Sequence, residues 1–308
     1  MLHNKIYKNK EKTKNINGML LLDKPTGYSS NYILQKVKIL LQAKKAGYVG
    51  TLDPLASGML PILFGITTKF SQYLLNTNKK YYVVAKLGER TDTLDAYGKL
   101  ISIRPIKIKK SHIYQIISEL KGETYQVPPM FSALKYNGIP LYKYARKNIF
   151  LPRKKRKIHI YNIKLIKFSK KYFSLNITCS KGTYIRQIVD DIGEKLFCGA
   201  HVVKLRRTQI SHYQEKNMID INKLNYYQTQ NHHYFYKYLF PTETIIFDIP
   251  KIVVTNSDFI QIFQGKKINI LNKESGSYQI VLENTKKFLG IIKIDKFGNI
   301  ISRELIKE

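Results

Sequence analysis

The chain has 308 residues, of which 44% are hydrophobic, enough to bury a core and too many for wholesale disorder. Lys and Arg total 53 against 21 Asp and Glu, a formal net charge of +32. A surface that positive repels itself unless it meets something acidic, which puts nucleic acid or an anionic membrane first among partner classes. Nine of the basic residues are Arg and 44 are Lys, and Asn, Ile and Tyr are abundant. Mutational bias toward AT-rich codons is therefore the bland reading of the charge.

Cys179 and Cys198 form no CxxC pair, and the seven His show no zinc-ligand spacing. The start, MLHNKIYKNKEKTKNING, lacks the apolar run of a signal peptide, and no stretch approaches the length of a membrane span. These features predict a soluble, cytoplasmic protein.

In chain order, residues 1–17 read as a flexible basic arm. Met19–Leu22 reads as a short strand, and Ser29 or Ser30 can cap a helix carrying Ile33, Val37, Leu40 and Leu41. A glycine-punctuated loop follows from Ala46 to Pro61, then a helix near 66–75 and a strand over 81–87. Ser111 can cap a helix with Ile113, Ile116, Ile117 and Leu120, stopping at Gly122. Strands near 157–167 and 172–179 precede a helix over 184–196 and a strand near 201–210.

Residues 211–240, polar and Tyr-rich, read as a surface excursion. After Pro250 come short β-type runs at 252–254, 267–271, 278–282 and 288–294, with a Gly-Asn turn at 298–299. This sets a boundary near 248–250, with a small β-rich module over 249–308.

Candidate chemistry must come from carboxylates, tyrosines and arginines. Asp53 lies in GTLDPLASG, where Gly50 and Gly58 allow tight turns and Pro54 pins the next residue. Such an Asp is either a turn-former bonding nearby amides or a presented nucleophile. Asp92 and Asp95 fail the EF-hand spacing and read as a polar turn. Tyr184 and Arg186 stand two apart at a helix start, where the guanidinium could pair with a carboxylate or simply be solvated.

Five segments then resemble, in order, the motifs of the TruB family of tRNA pseudouridine synthases. They are GMLLLDKPTGYSS, AGYVGTLDPLASGMLP, KYYVVAKLGERTDTLDAYG, QVPPMFSALKYNGIPLYKYAR and CSKGTYIRQIVDDIG. The resemblance runs from about Gly18 to Ile210, and the β-rich tail is similar to that family's PUA module. It implies an α+β fold, a mostly antiparallel mixed sheet with flanking helices and a central cleft, in a catalytic domain over 18–248. The activity implied is isomerisation of uridine to pseudouridine at position 55 in the T loop of tRNA, without cofactor or metal.

By the same resemblance, Asp53 matches the catalytic aspartate and Arg186 the arginine that pairs with it. Tyr81 matches the tyrosine that stacks on the target base, and Tyr184 and Leu205 match residues lining the uracil pocket. Tyr48-Val49 stands where the family usually has His-Thr. That His is associated with filling the space the base leaves, so Tyr48 would act as a flat wedge. The basic residues around 152–157 and at 204–207 would meet phosphates. The implied partner is the T arm of tRNA, bound by a monomer with no obligate protein partner and no membrane. Two competing readings are a non-catalytic RNA-binding protein or tRNA-folding chaperone, and an RNA-guided synthase of the same superfamily.

Overall fold

The computed structural model describes residues 13–230, 234–266, 268, 270 and 273–306. A mixed sheet forms its centre. The strand order is Ile219–Asp220, Gly18–Lys24, Ser57–Phe64, Ala200–Ile210, Lys79–Leu87, Tyr172–Cys179, Arg156–Phe168 and Gly122–Gln126. Neighbours are antiparallel except at two places, where Leu22 pairs with Ile219 and where Arg206 and Arg207 pair with Ser57 and Gly58.

Strand period explains which residues are covered. In Lys79–Leu87 the pattern is strict alternation, with Tyr81, Val83, Ala85 and Leu87 in the main core. Gly18–Lys24 instead is apolar on both faces. Leu20 and Leu22 enter the main core, whereas Met19 and Leu21 enter a second core on the other side. Helices Ser30–Leu40, Lys110–Glu119 and Ile185–Lys195 cover the main core with Ile33, Val37, Ile113, Ile117, Val189 and Ile192.

The second core is closed by the C-terminal unit. Strands Lys251–Val254, Gly276–Leu282, Phe288–Ile294 and Ile300–Leu305 form a four-stranded sheet, with helix Asn256–Phe263 capped by Thr255. Leu289 and Ile292 fill that unit's own core, and Phe288 and Ile291 turn to the main body. The Phe288 ring meets Phe70 edge-on at 5.5 Å.

Several sequence expectations change. Residues 1–12 of the expected arm lie outside the described residues, but 13–17 are not a free arm. Ile16 is buried in the main core, Lys14 is hydrogen-bonded on both sides of Ala43, and Asn17 accepts from the Ile66 amide. One apolar residue in a basic run suffices to dock it. The expected 46–61 loop contains strands at both ends, Ala46–Tyr48 and Ser57–Phe64. The 66–75 segment is 3-10 helix before it becomes α-helical at Ser71.

Lys109, not Ser111, occupies the N-cap of the helix that follows. The segment over 211–240 is no surface excursion. Ile219–Asp220 and Leu239–Phe240 extend the sheet from Gly18–Lys24, and Leu224 and Phe235 are fully buried. Its few apolar residues are spaced too widely among polar ones to show a period. Part of the expected 267–271 strand lies outside the described residues.

Candidate active site

Asp53 sits between two strands, in a loop held from both sides. Ser30 Oγ donates to Leu52 O and accepts from Leu52 N, both at 2.8 Å. Gly27 N donates to Pro54 O at 2.8 Å, and Thr26 Oγ1 to Leu55 O at 2.7 Å. From the other side Arg207 donates to Gly50 O at 2.7 Å and to Met59 O at 2.8 Å. Five carbonyls of the loop and the Leu52 amide are thus satisfied by its neighbours, and the Asp53 carboxylate takes no part in these bonds.

The carboxylate bonds to Arg186. Nε reaches Oδ2 at 2.8 Å and Nη2 reaches Oδ1 at 3.0 Å, a fork on both oxygens. The guanidinium side chain is 4% exposed and the carboxylate 35%. Arg186 also donates to Thr93 O at 2.7 Å and to Phe131 O at 2.8 Å. Of the two readings of Asp53, the geometry has the presented carboxylate, with its oxygens on a side chain 133 residues away rather than on local amides.

Arg186 lies in the first turn of Ile185–Lys195, where the helix dipole disfavours a cation. Asp53 and two carbonyls offset that cost. A second carboxylate, Asp95, approaches Arg186 Nε at 3.8 Å. Burial raises its pKa, opposed by the Thr93 hydroxyl and by Arg186. Its Oδ1 accepts from Thr93 and from the Tyr97 amide, and Asp92 accepts from the Lys99 amide. The 92–95 segment is a polar turn, as its spacing suggests, and that turn presents Thr93 O to the arginine.

Tyr184 is the residue before the helix. Its amide donates to Gln126 Oε1 at 2.9 Å while Gln126 Nε2 donates back to Tyr184 O at 3.1 Å. Burial raises its hydroxyl pKa, with Ser132 acting against it. Tyr81 stands opposite Arg207 in the strand pair and is 9% exposed. Burial raises its pKa too, and the Arg207 charge pulls the other way.

Leu205 is buried two residues along from Arg207, opposite Val83. Tyr48 pairs with Ile62 and packs half-buried against the main core. Among the described residues no hydrogen bond links Tyr48 to the Asp53–Arg186 pair.

One cation, Lys24, escaped the sequence reading, and Arg206 and Arg207 take other roles than expected. Lys24 is fully buried, with Nζ donating to Tyr28 O at 2.7 Å and Pro25 O at 2.8 Å, and lying 3.5 Å from Pro54 O. Burial lowers its pKa to about 8, against the raising pull of Asp53. Arg207 is 1% exposed, and Arg206 grips Asp23 through two bonds of 2.7 and 2.9 Å. The expectation that 204–207 face phosphates is therefore corrected, because only Lys204 of the three cations is exposed. Lys24 and Arg206–Arg207 stand in runs with ordinary turn and strand chemistry, and no local pattern marks a lysine for burial. The KKRK run at 154–157 is exposed throughout.

All five motif segments meet at this one place. The 18–30 and 46–61 segments clasp the Asp53 loop, the 80–98 segment supplies Tyr81 and Thr93, the 126–146 segment supplies Gln126 and Phe131, and the 179–193 segment supplies Tyr184 and Arg186.

The chain is also similar to known proteins along almost its whole length. The family model for "TruB family pseudouridylate synthase (N terminal domain)" matches residues 38–185, and that for "tRNA pseudouridylate synthase B C-terminal domain" matches 186–246. A tRNA pseudouridine synthase B of Wigglesworthia glossinidia brevipalpis is 59% identical, with 96% of this chain and 91% of that protein covered. One from Vibrio cholerae is 45% identical, covering 96% and 98%. Among solved structures, a chain of a Cbf5-Nop10-Gar1 complex matches with a TM-score of 0.70 at 25% identity, over 94% of this chain and 84% of that one.

Proposed function

The chain belongs to the TruB family of pseudouridylate synthases, isomerases of uridine in tRNA, and we propose that its target is the uridine at position 55 of the T loop, attacked by Asp53. The observation that carries the reading is the forked Asp53–Arg186 pair, a carboxylate held by a buried guanidinium yet still one-third open to solvent.

The reaction breaks the N-glycosidic bond, turns the uracil, and joins carbon 5 to the ribose. The proton on carbon 5 is lost and nitrogen 1 gains one, so the product is an isomer and no oxidant or donor is consumed. A carboxylate that adds to the ribose or to the base divides this into two easier steps. Arg186 fixes the direction of both oxygens through its two-pronged bond.

The target must leave its stack, at a cost of a few kcal/mol. Stacking on Tyr81 returns part of that, about 1–3 kcal/mol per base. Tyr184 and Leu205 line the uracil pocket, and Tyr48 fills the space the base vacates. The exposed cations at 154–157 meet phosphates, and the sheet over 251–305 acts as a PUA-like RNA-binding module. The enzyme works as a monomer on the T arm.

Incubation of purified protein with unmodified tRNA transcript, followed by chemical mapping, should place pseudouridine at position 55. Asp53→Asn should bind the transcript and form none. Turnover by that variant would end the nucleophile assignment, and affinity insensitive to salt would end the phosphate contacts. Bare transcript that fails until a guide RNA is supplied would favour a guided enzyme instead.

A further inference from the structure

The helix Ser30–Leu40 begins beside the Asp53 loop, and its entrance carries an aromatic pair outside the site described above. The rings of Tyr28 and Tyr32 are stacked, with centroids 5.1 Å apart and planes 11° from parallel. Both remain about half exposed, at 47% and 52%. A hydrophobic staple would set the residue before the cap, Tyr28, against Ile33. Ile33 is instead 1% exposed within the core, and Tyr28 lies on Tyr32 at the surface.

The pair is fixed relative to Asp53 by the backbone. Lys24 Nζ binds Tyr28 O and approaches Pro54 O, and Gly27 N donates to Pro54 O. Tyr28 is thus one shared ammonium group away from the residue after Asp53. Lys36 follows Tyr32 by one helical turn and is exposed, so the same helix edge presents two flat rings and then a cation.

We propose that Tyr28 and Tyr32 form a stacking platform for an unpaired base of the substrate RNA flanking the target uridine, with Lys36 meeting a nearby phosphate. This rests on the tRNA-modifying reading above. Flat, half-exposed rings beside a cation suit a nucleobase attached to a phosphate, because every base has a π face. The strong positive charge of the chain favours RNA over another protein surface.

The test replaces both tyrosines, by Ala, Leu or Phe, and measures binding to a T-arm RNA together with kcat and KM. The Ala pair should weaken affinity about 5- to 150-fold, with kcat at saturating RNA nearly unchanged. Phe should restore affinity and Leu should not, since Leu keeps apolar bulk but has no flat face. 2-Aminopurine placed in turn at the loop nucleotides should show quenching at one position with the wild type, lost in the Ala pair. Wild-type affinity in the Ala pair, or full rescue by Leu, overturns the platform while leaving the isomerase reading intact. Absence of pseudouridine with the wild-type enzyme would instead overturn the reading itself.

Discussion

Arg186 and Asp53 are joined by a two-pronged bond whose cation is buried and whose anion is not. Each prong fixes a different carboxylate oxygen, and two of the three remaining guanidinium hydrogens are taken by Thr93 O and Phe131 O. Lysine is a point charge and cannot serve four acceptors in one plane. Arg186→Lys should keep the charge but lower the single-turnover rate by about 10²-fold or more, as expected when a reacting group loses its alignment. Rapid-quench kinetics on T-loop RNA check this, and a rate within twofold of wild type would show that charge alone suffices.

Tyr81 offers a ring and a hydroxyl, and the two can be separated. Burial raises the hydroxyl pKa, so it stays protonated through neutral pH and is available as a proton donor. Tyr81→Phe should bind RNA within about twofold of wild type, because the stacking face remains. Its single-turnover rate should fall about 10²-fold or more if the hydroxyl moves a proton. An unchanged rate would confine Tyr81 to stacking.

Gly58 marks where the Asp53 loop rejoins the sheet beside Arg207. A Cβ there would lie 2.3 Å from Arg207 O and 2.9 Å from its amide, at a φ of +96°. Gly27 has a similar φ of +91° but nothing within 4 Å. Gly27→Ala should therefore cost about 1 kcal/mol, from backbone strain alone. Gly58→Ala should cost about 3 kcal/mol or more, because backbone cannot yield as a side chain can. Equal midpoints in urea for the two variants would show that the strands part easily.

Lys79 supplies a pH test. It is 7% exposed, opposite the buried Cys179, and donates to Leu75 O and Thr77 O. Burial lowers its pKa from 10.5 to about 8, so between those values the unfolded chain holds the proton that the folded one has lost. Stability relative to Lys79→Met should then rise as pH goes from about 8 toward 10 and be flat below 8. The rise is of order 3 kcal/mol at most. Parallel unfolding free energies across that range would mean the ammonium is solvated in the folded protein.

Much of this site is legible in the sequence because its parts carry local marks. Asp53 stands between glycines that only a special backbone requires, and Tyr81 lies in a strand whose alternation is strict. The helix over 185–195 shows its face through Ile188, Val189 and Ile192. The expectations that failed lack such marks. The segment over 211–240 hides two sheet edges behind polar residues, and Ile16 anchors a stretch whose composition reads as free.

What the sequence determined by itself is most of the long elements, the family and the residue types able to do the chemistry, since period and turn chemistry act over a few residues. Only the tertiary structure decided that the Asp53–Arg186 pair is a two-pronged bond with a buried cation, and that Lys24 and Arg207 are sealed beneath the loop. The Asp53–Arg186 and Arg207 contacts join groups more than a hundred residues apart, and the burial of Lys24 depends on the packing of its strand and loop. Burial and pairing belong to the whole packed chain, and no local window of sequence contains them.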